Sequence, residues 1–128
     1  MSTAQGTDPD DVLRVIYAPR RSVVLISPFA AEDFSIAAAV QRYGERCVRD
    51  SLGRGESPLA SHLFYSTLNV RNPIERDIGL LSQLSWIPKS DMVAVYVDFG
   101  LTKAMEVAIN TAQIKSKKIE YRTIGSVS

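Results

Sequence analysis

The sequence holds one cysteine and one histidine in 128 residues. One cysteine excludes a disulfide within the chain, and Cys47 and His62 have no neighbours of the right kind for a zinc site. No metal is therefore expected, and the setting is a reducing one. Neither sign of charge is in excess: 15 basic against 14 acidic residues leave a formal net charge of +1. This argues against a protein whose affinity comes from nucleic-acid phosphates in bulk. No apolar run is long enough to span a bilayer, and the first residues lack the apolar core of a signal peptide. A cytoplasmic protein that keeps clear of the membrane is the expectation. Glycine-rich turns are missing too, since the first core strand leads into Pro28-Phe29-Ala30. That removes the dinucleotide fingerprint and the phosphate loop, so no cofactor is expected.

What is present is a hydrophobic fraction of 45%, enough to give a chain of this length one core. Residues 1–21 read as an N-terminal tail with one short extra element, and residues 22–125 as one α/β domain. Ser22–Ser27 (SVVLIS) is β-branched without alternation, the pattern of a strand covered on both faces. Ile36, Val40, Tyr43 and Cys47 then recur at helical spacing, which makes Cys47 a buried helix residue, and Gly53 suits the end of that helix. Pro58–His62 is at most a short strand, kept at the sheet edge by its proline. Pro73 suits the first turn of a second helix, along which Ile74, Ile78, Leu81 and Ser85 recur with Leu84 beside them. Met92–Asp98 (MVAVYVD) is the clearest strand, a third helix runs over about 102–116, and Lys118–Ile124 alternates as a last strand.

Strands alternating with helices predict right-handed crossovers and a parallel sheet covered on both faces, a flavodoxin-like or Rossmann-like three-layer sandwich with strand order 2-1-3-4. Ligands of such sheets bind beyond the carboxyl ends of the strands, where the order reverses. That place brings Ser27-Pro28-Phe29 beside Asp98-Phe99-Gly100.

Asp98 ends a buried strand and Glu106 lies about one turn into the next helix, so both carboxylates can face one crevice. The helix N-terminus favours an ionised acid there, as a nucleophile requires. The alternative reading makes Asp98 the helix cap and Glu106 a solvated surface charge. Asp77, near the start of the second helix beside Arg76, either complements that helix dipole or joins the crevice as a proton donor. His62 follows the short strand as a hydrogen-bonded residue or a ligand contact.

Four segments carry a family resemblance: Ile26-Ser27-Pro28-Phe29, Ser57-Pro58-Leu59-Ala60-Ser61-His62, Glu75-Arg76-Asp77-Ile78-Gly79, and the run from Val95 to Glu106. In their order and spacing they resemble the small bacterial and phage domains related to nucleoside 2-deoxyribosyltransferases and deoxynucleoside monophosphate N-glycosidases. The resemblance implies that Glu106 attacks C1′ of the deoxyribose, that Asp77 helps protonate the leaving base, and that Asp98 is a second acid near the sugar. It implies substrate contacts at Ser27, Pro28 and Phe29. His62, Arg76, Gly100 and Lys103 complete the expected binding set, with Arg76 and Lys103 suited to a 5′-phosphate. The implied activity is N-glycosidic cleavage or base transfer on a deoxynucleoside or its monophosphate, in a homo-oligomer. Where the family has small glycines around the Glu, this chain carries Lys103, Ala104 and Ala108. The alternative function is a non-catalytic nucleotide-binding or protein-interaction module, of phage type, that keeps the fold. Phe64, Tyr65 and Trp86 are candidates for an interface.

Overall fold

A computed structural model describes residues 9–10, 19–28, 34–60, 67–69 and 71–125. Among the described residues four short segments form strands: β1 (Ser22–Ile26), β2 (Ser57–Ala60), β3 (Met92–Tyr96) and β4 (Lys118–Arg122). They pair in parallel in the order β2-β1-β3-β4, as the alternation of elements predicts. Every residue of β3 is buried, which is why that strand reads as a continuous apolar run. β2 lies at an edge, where the missing N–H of Pro58 interrupts no inner ladder.

Three helices connect the strands: α1 (Phe34–Gly53), α2 (Pro73–Trp86) and α3 (Lys103–Ile114). Alternate strand residues face opposite layers. Val23, Leu25, Met92, Ala94 and Tyr96 pack with Tyr43 and Cys47 of α1, while Val24, Ile26, Val93 and Val95 pack with Met105, Ala108, Ile109 and Ala112 of α3. Leu84 of α2 joins the second layer, so α1 covers one face and α2 with α3 the other. Burial pushes the Cys47 thiol up to about 12, leaving it a protonated core residue.

Helix α2 forms where its spacing predicts, but its apolar stripe faces outward. Ile74, Ile78 and Leu81 are 72%, 51% and 63% exposed, and the buried residues of the helix are Gly79 and Gln83. Gln83 fits the interior because its Nε2 donates to the backbone oxygen of Leu25 at 3.0 Å. Its amide thus ties α2 to the central strand. Trp86 is half exposed, with the Lys89 ammonium 5.6 Å from its ring centre. Phe64 and Tyr65 lie outside the described residues.

No helix among the described residues is long and apolar enough to cross a membrane.

Candidate functional site

Each helix follows a strand in a parallel sheet, so α2 and α3 both begin at the carboxyl edge and present their first turns there. Asn72 caps α2, its Oδ1 accepting from the N–H groups of Ile74 and Glu75, and Pro73 takes the first helical position. Asp77 follows, exposed to solvent, with Arg76 half-buried beside it.

The passage from β3 into α3 is built by a tight turn. Gly100 N–H donates to the Val97 oxygen at 2.9 Å, and Gly100 has φ 79°, a left-handed conformation that side chains disfavour. A side chain at Gly100 would meet nothing within 4 Å, so the backbone angle and not crowding calls for glycine. Thr102 then caps α3, its hydroxyl accepting from Met105 N–H at 3.2 Å while its own N–H reaches the Met105 sulfur at 3.5 Å. The cap is therefore Thr102 and not Asp98. Glu106 lies in the first turn of α3, exposed. Among the described residues neither Glu106 nor Lys103, likewise exposed, forms an ion pair. Lys103, three residues before Glu106 on the same turn, makes no direct ion pair with it.

Asp98 is turned the other way. Its carboxylate accepts from the Tyr43 hydroxyl at 2.5 Å, from Ile124 N–H at 3.1 Å to each oxygen, and from Gly125 N–H at 3.0 Å. The Tyr43 oxygen in turn accepts from the Asp98 backbone N–H at 3.1 Å. Burial raises the carboxyl pKa, but the donors from Tyr43, Ile124 and Gly125 outweigh it and hold the group below its ordinary value. Burial first, and then Asp98, pushes the Tyr43 phenol up, so it stays a donor. Phe99 packs edge-on against Tyr43 at 4.7 Å between ring centres. The carboxylate thus ties the end of β3 to α1 and to the segment after β4, while Glu106 stands on the helix of the opposite layer.

Ser27 and Pro28, at the end of β1, are both buried. Phe29 and His62 lie outside the described residues. No group of three or more His, Cys, Asp or Glu among the described residues is placed to hold a metal ion.

A second polar cluster has no counterpart among the expected site residues. Arg122 grips Glu56 through two parallel bonds of 2.7 and 2.8 Å, and both side chains are 2% exposed. Arg122 also donates to Glu120 at 2.8 Å and to the Tyr96 hydroxyl at 3.1 Å, and Tyr96 donates to Asp50 at 2.8 Å. Ser51 donates to Glu56 at 2.8 Å. The Arg122 guanidinium holds Glu56 below the usual carboxylate range. Its partners are 66 residues apart, beyond the reach of any local pattern.

Over residues 21–122 the sequence matches the model of a family described as a domain of unknown function (DUF7768), and the chain belongs to that family. No curated protein matches the sequence. Among solved structures, the fold is similar to that of a 2-deoxyribosyltransferase from the psychrotolerant bacterium Bacillus psychrosaccharolyticus, described as a biocatalyst for nucleoside synthesis. The TM-score is 0.56 at 15% sequence identity, over 84% of this chain and 75% of that one. At that identity the likeness is one of fold.

Proposed function

We propose that the chain cleaves or exchanges the N-glycosidic bond of a deoxynucleoside or deoxynucleoside 5′-monophosphate, with Glu106 as nucleophile. The observation that carries this reading is the state of Glu106: an exposed carboxylate in the first turn of a helix at the carboxyl edge of a parallel sheet, in no ion pair among the described residues. A carboxylate so placed is open to a substrate that enters at this edge. The deoxyribosyltransferase likeness supplies the substrate class.

In this reading a Glu106 oxygen forms a bond to C1′ as the bond from C1′ to the base nitrogen breaks, and the electron pair leaves with the base. Asp77 delivers the proton that the departing nitrogen needs. Water or a second base then attacks C1′ and releases the Glu106 carboxylate. Arg76 and Lys103 sit in the first turns of the two helices, where a 5′-phosphate would meet positive charge as well as helix N-termini. Ser27, Pro28 and Gly100 belong to the substrate walls, and the contacts expected of Phe29 and His62 rest on the resemblance alone. Asp98, its carboxylate already engaged, positions the turn that leads to Glu106 and does not orient the sugar itself.

The test is incubation with each deoxynucleoside and deoxynucleoside monophosphate, with free base measured by chromatography. Glu106→Gln is expected to lower release by at least about 10³-fold, since the step loses its nucleophile. Undiminished release by that variant would remove Glu106 from the mechanism. Binding of intact nucleotide by the unaltered protein, with no release of base, would leave the non-catalytic binding module as the function.

A further inference from the structure

On the far side of the sheet from α2 and α3, an open groove runs between α1 and the end of β4, lined by Arg46, Arg49, Asp50, Thr123 and Ile124. Arg42 lies one turn before Arg46 on the same helix, so three guanidinium groups follow one another along one side of α1. Their Cα atoms span about 10 Å at 1.5 Å per residue.

In a chain whose net charge is only +1, this local concentration stands out for what it leaves unpaired. Asp50 is four residues after Arg46, the ordinary spacing for a helix ion pair. Its Oδ2 is instead taken by the Tyr96 hydroxyl and by Arg54 Nε, both at 2.8 Å. Glu45 is four residues before Arg49, and no ion pair forms between them. Arg46 gives one nitrogen to the Gly125 oxygen at 3.2 Å, which anchors it at the groove and leaves its other donors open. Arg42 and Arg49 are exposed and make no hydrogen bond or ion pair among the described residues. The one carboxylate lining the groove is already satisfied, so an entering anion displaces no internal partner.

A guanidinium offers a planar fork of donors that matches phosphoryl oxygens two at a time. Three forks in a row fit an anion with several phosphoryl groups in line better than a single carboxylate. We propose that this groove is a binding site for a small polyphosphorylated anion, a di- or triphosphate group held by Arg42, Arg46 and Arg49. The site is independent of the Glu106 crevice, because the two lie on opposite layers of the sheet.

Calorimetry with inorganic tripolyphosphate at constant ionic strength tests this. Binding is expected in the unaltered protein, with a Kd weakened at least about tenfold in the double variant Arg42→Gln/Arg49→Gln, since each substitution removes charge-assisted bonds. Lys115→Gln, just past the end of α3 and exposed, is expected to leave that Kd unchanged. Binding no tighter than that of sulfate at the same ionic strength would overturn the proposal. So would affinity unaltered in the double variant, or affinity lost in Lys115→Gln. Base release by the protein is a separate measurement, and its failure would leave this site standing.

Discussion

On the α1 face of the sheet, Glu56, Arg122, Tyr96, Asp50 and Asp98 are joined to one another or to backbone donors, whereas on the α2 and α3 face Asp77, Lys103 and Glu106 stand in solvent with no ion pair among the described residues. The same residue types therefore do different work in the two layers. A carboxylate tied to three donors is held to one position and one protonation state. A free carboxylate at a helix start contributes little to folding and can meet a substrate. Charge committed to structure is unavailable for chemistry, and for these carboxylates, though not for the arginines of α1, the division falls along the sheet.

Substitutions can break or sharpen that contrast. The largest effect is expected at the buried pair. Arg122→Ala removes the buried cation of Glu56, leaving it, among the described residues, only the exposed Arg21 at 3.3 Å, and is expected to cost about 3 kcal/mol in denaturant unfolding. A cost near that of a surface substitution would mean that the α1 layer does not depend on its charges.

The acid limb of the stability profile comes next. Glu56 and Asp98 both have folded pKa values below their unfolded ones. Their contribution is thus present above the unfolded carboxylate pKa of about 4 and is lost as pH falls through the folded values. Thermal melts are expected to be flat from pH 7 down to about 5 and to fall steeply below about 4, and Asp98→Ala should make that fall shallower. An unchanged slope in the variant would show that Asp98 is not held as the geometry indicates.

The smallest effect on stability belongs to Glu106. Glu106→Gln is expected to change unfolding free energy by no more than about 0.5 kcal/mol, the ordinary range for a surface site. A large loss would place Glu106 in the structural class and sharpen the boundary elsewhere.

The sheet was the most legible part of the chain. Unbroken apolar runs at Val23–Ile26 and Met92–Tyr96 mark strands covered on both sides, and the alternation of elements leads to the observed strand order. Tyr43 and Cys47 are buried on α1 as their spacing predicts. The inner side of α2 was not legible, because periodicity identifies an apolar stripe without saying which surface covers it. Gln83 is held inside by the Leu25 carbonyl, a partner 58 residues away and outside any local pattern. The partners of Asp98 are 55 and 26 residues away, and no local pattern announces them. What spacing and resemblance do single out is the junction from Val97 to Glu106, where a turn, a glycine and a cap succeed one another within ten residues.

The grip of Arg122 on Glu56 joins the two edge strands, since Glu56 precedes β2 and Arg122 ends β4. A brace between segments 66 residues apart is expected to form late in folding, because its loop-closure entropy must be met first. Interactions absent from the transition state act on the lifetime of the native state and leave the speed of reaching it alone. In a stopped-flow experiment Arg122→Ala should therefore unfold faster while refolding at nearly the rate of the unaltered protein, so the pair works as a latch on the finished sheet.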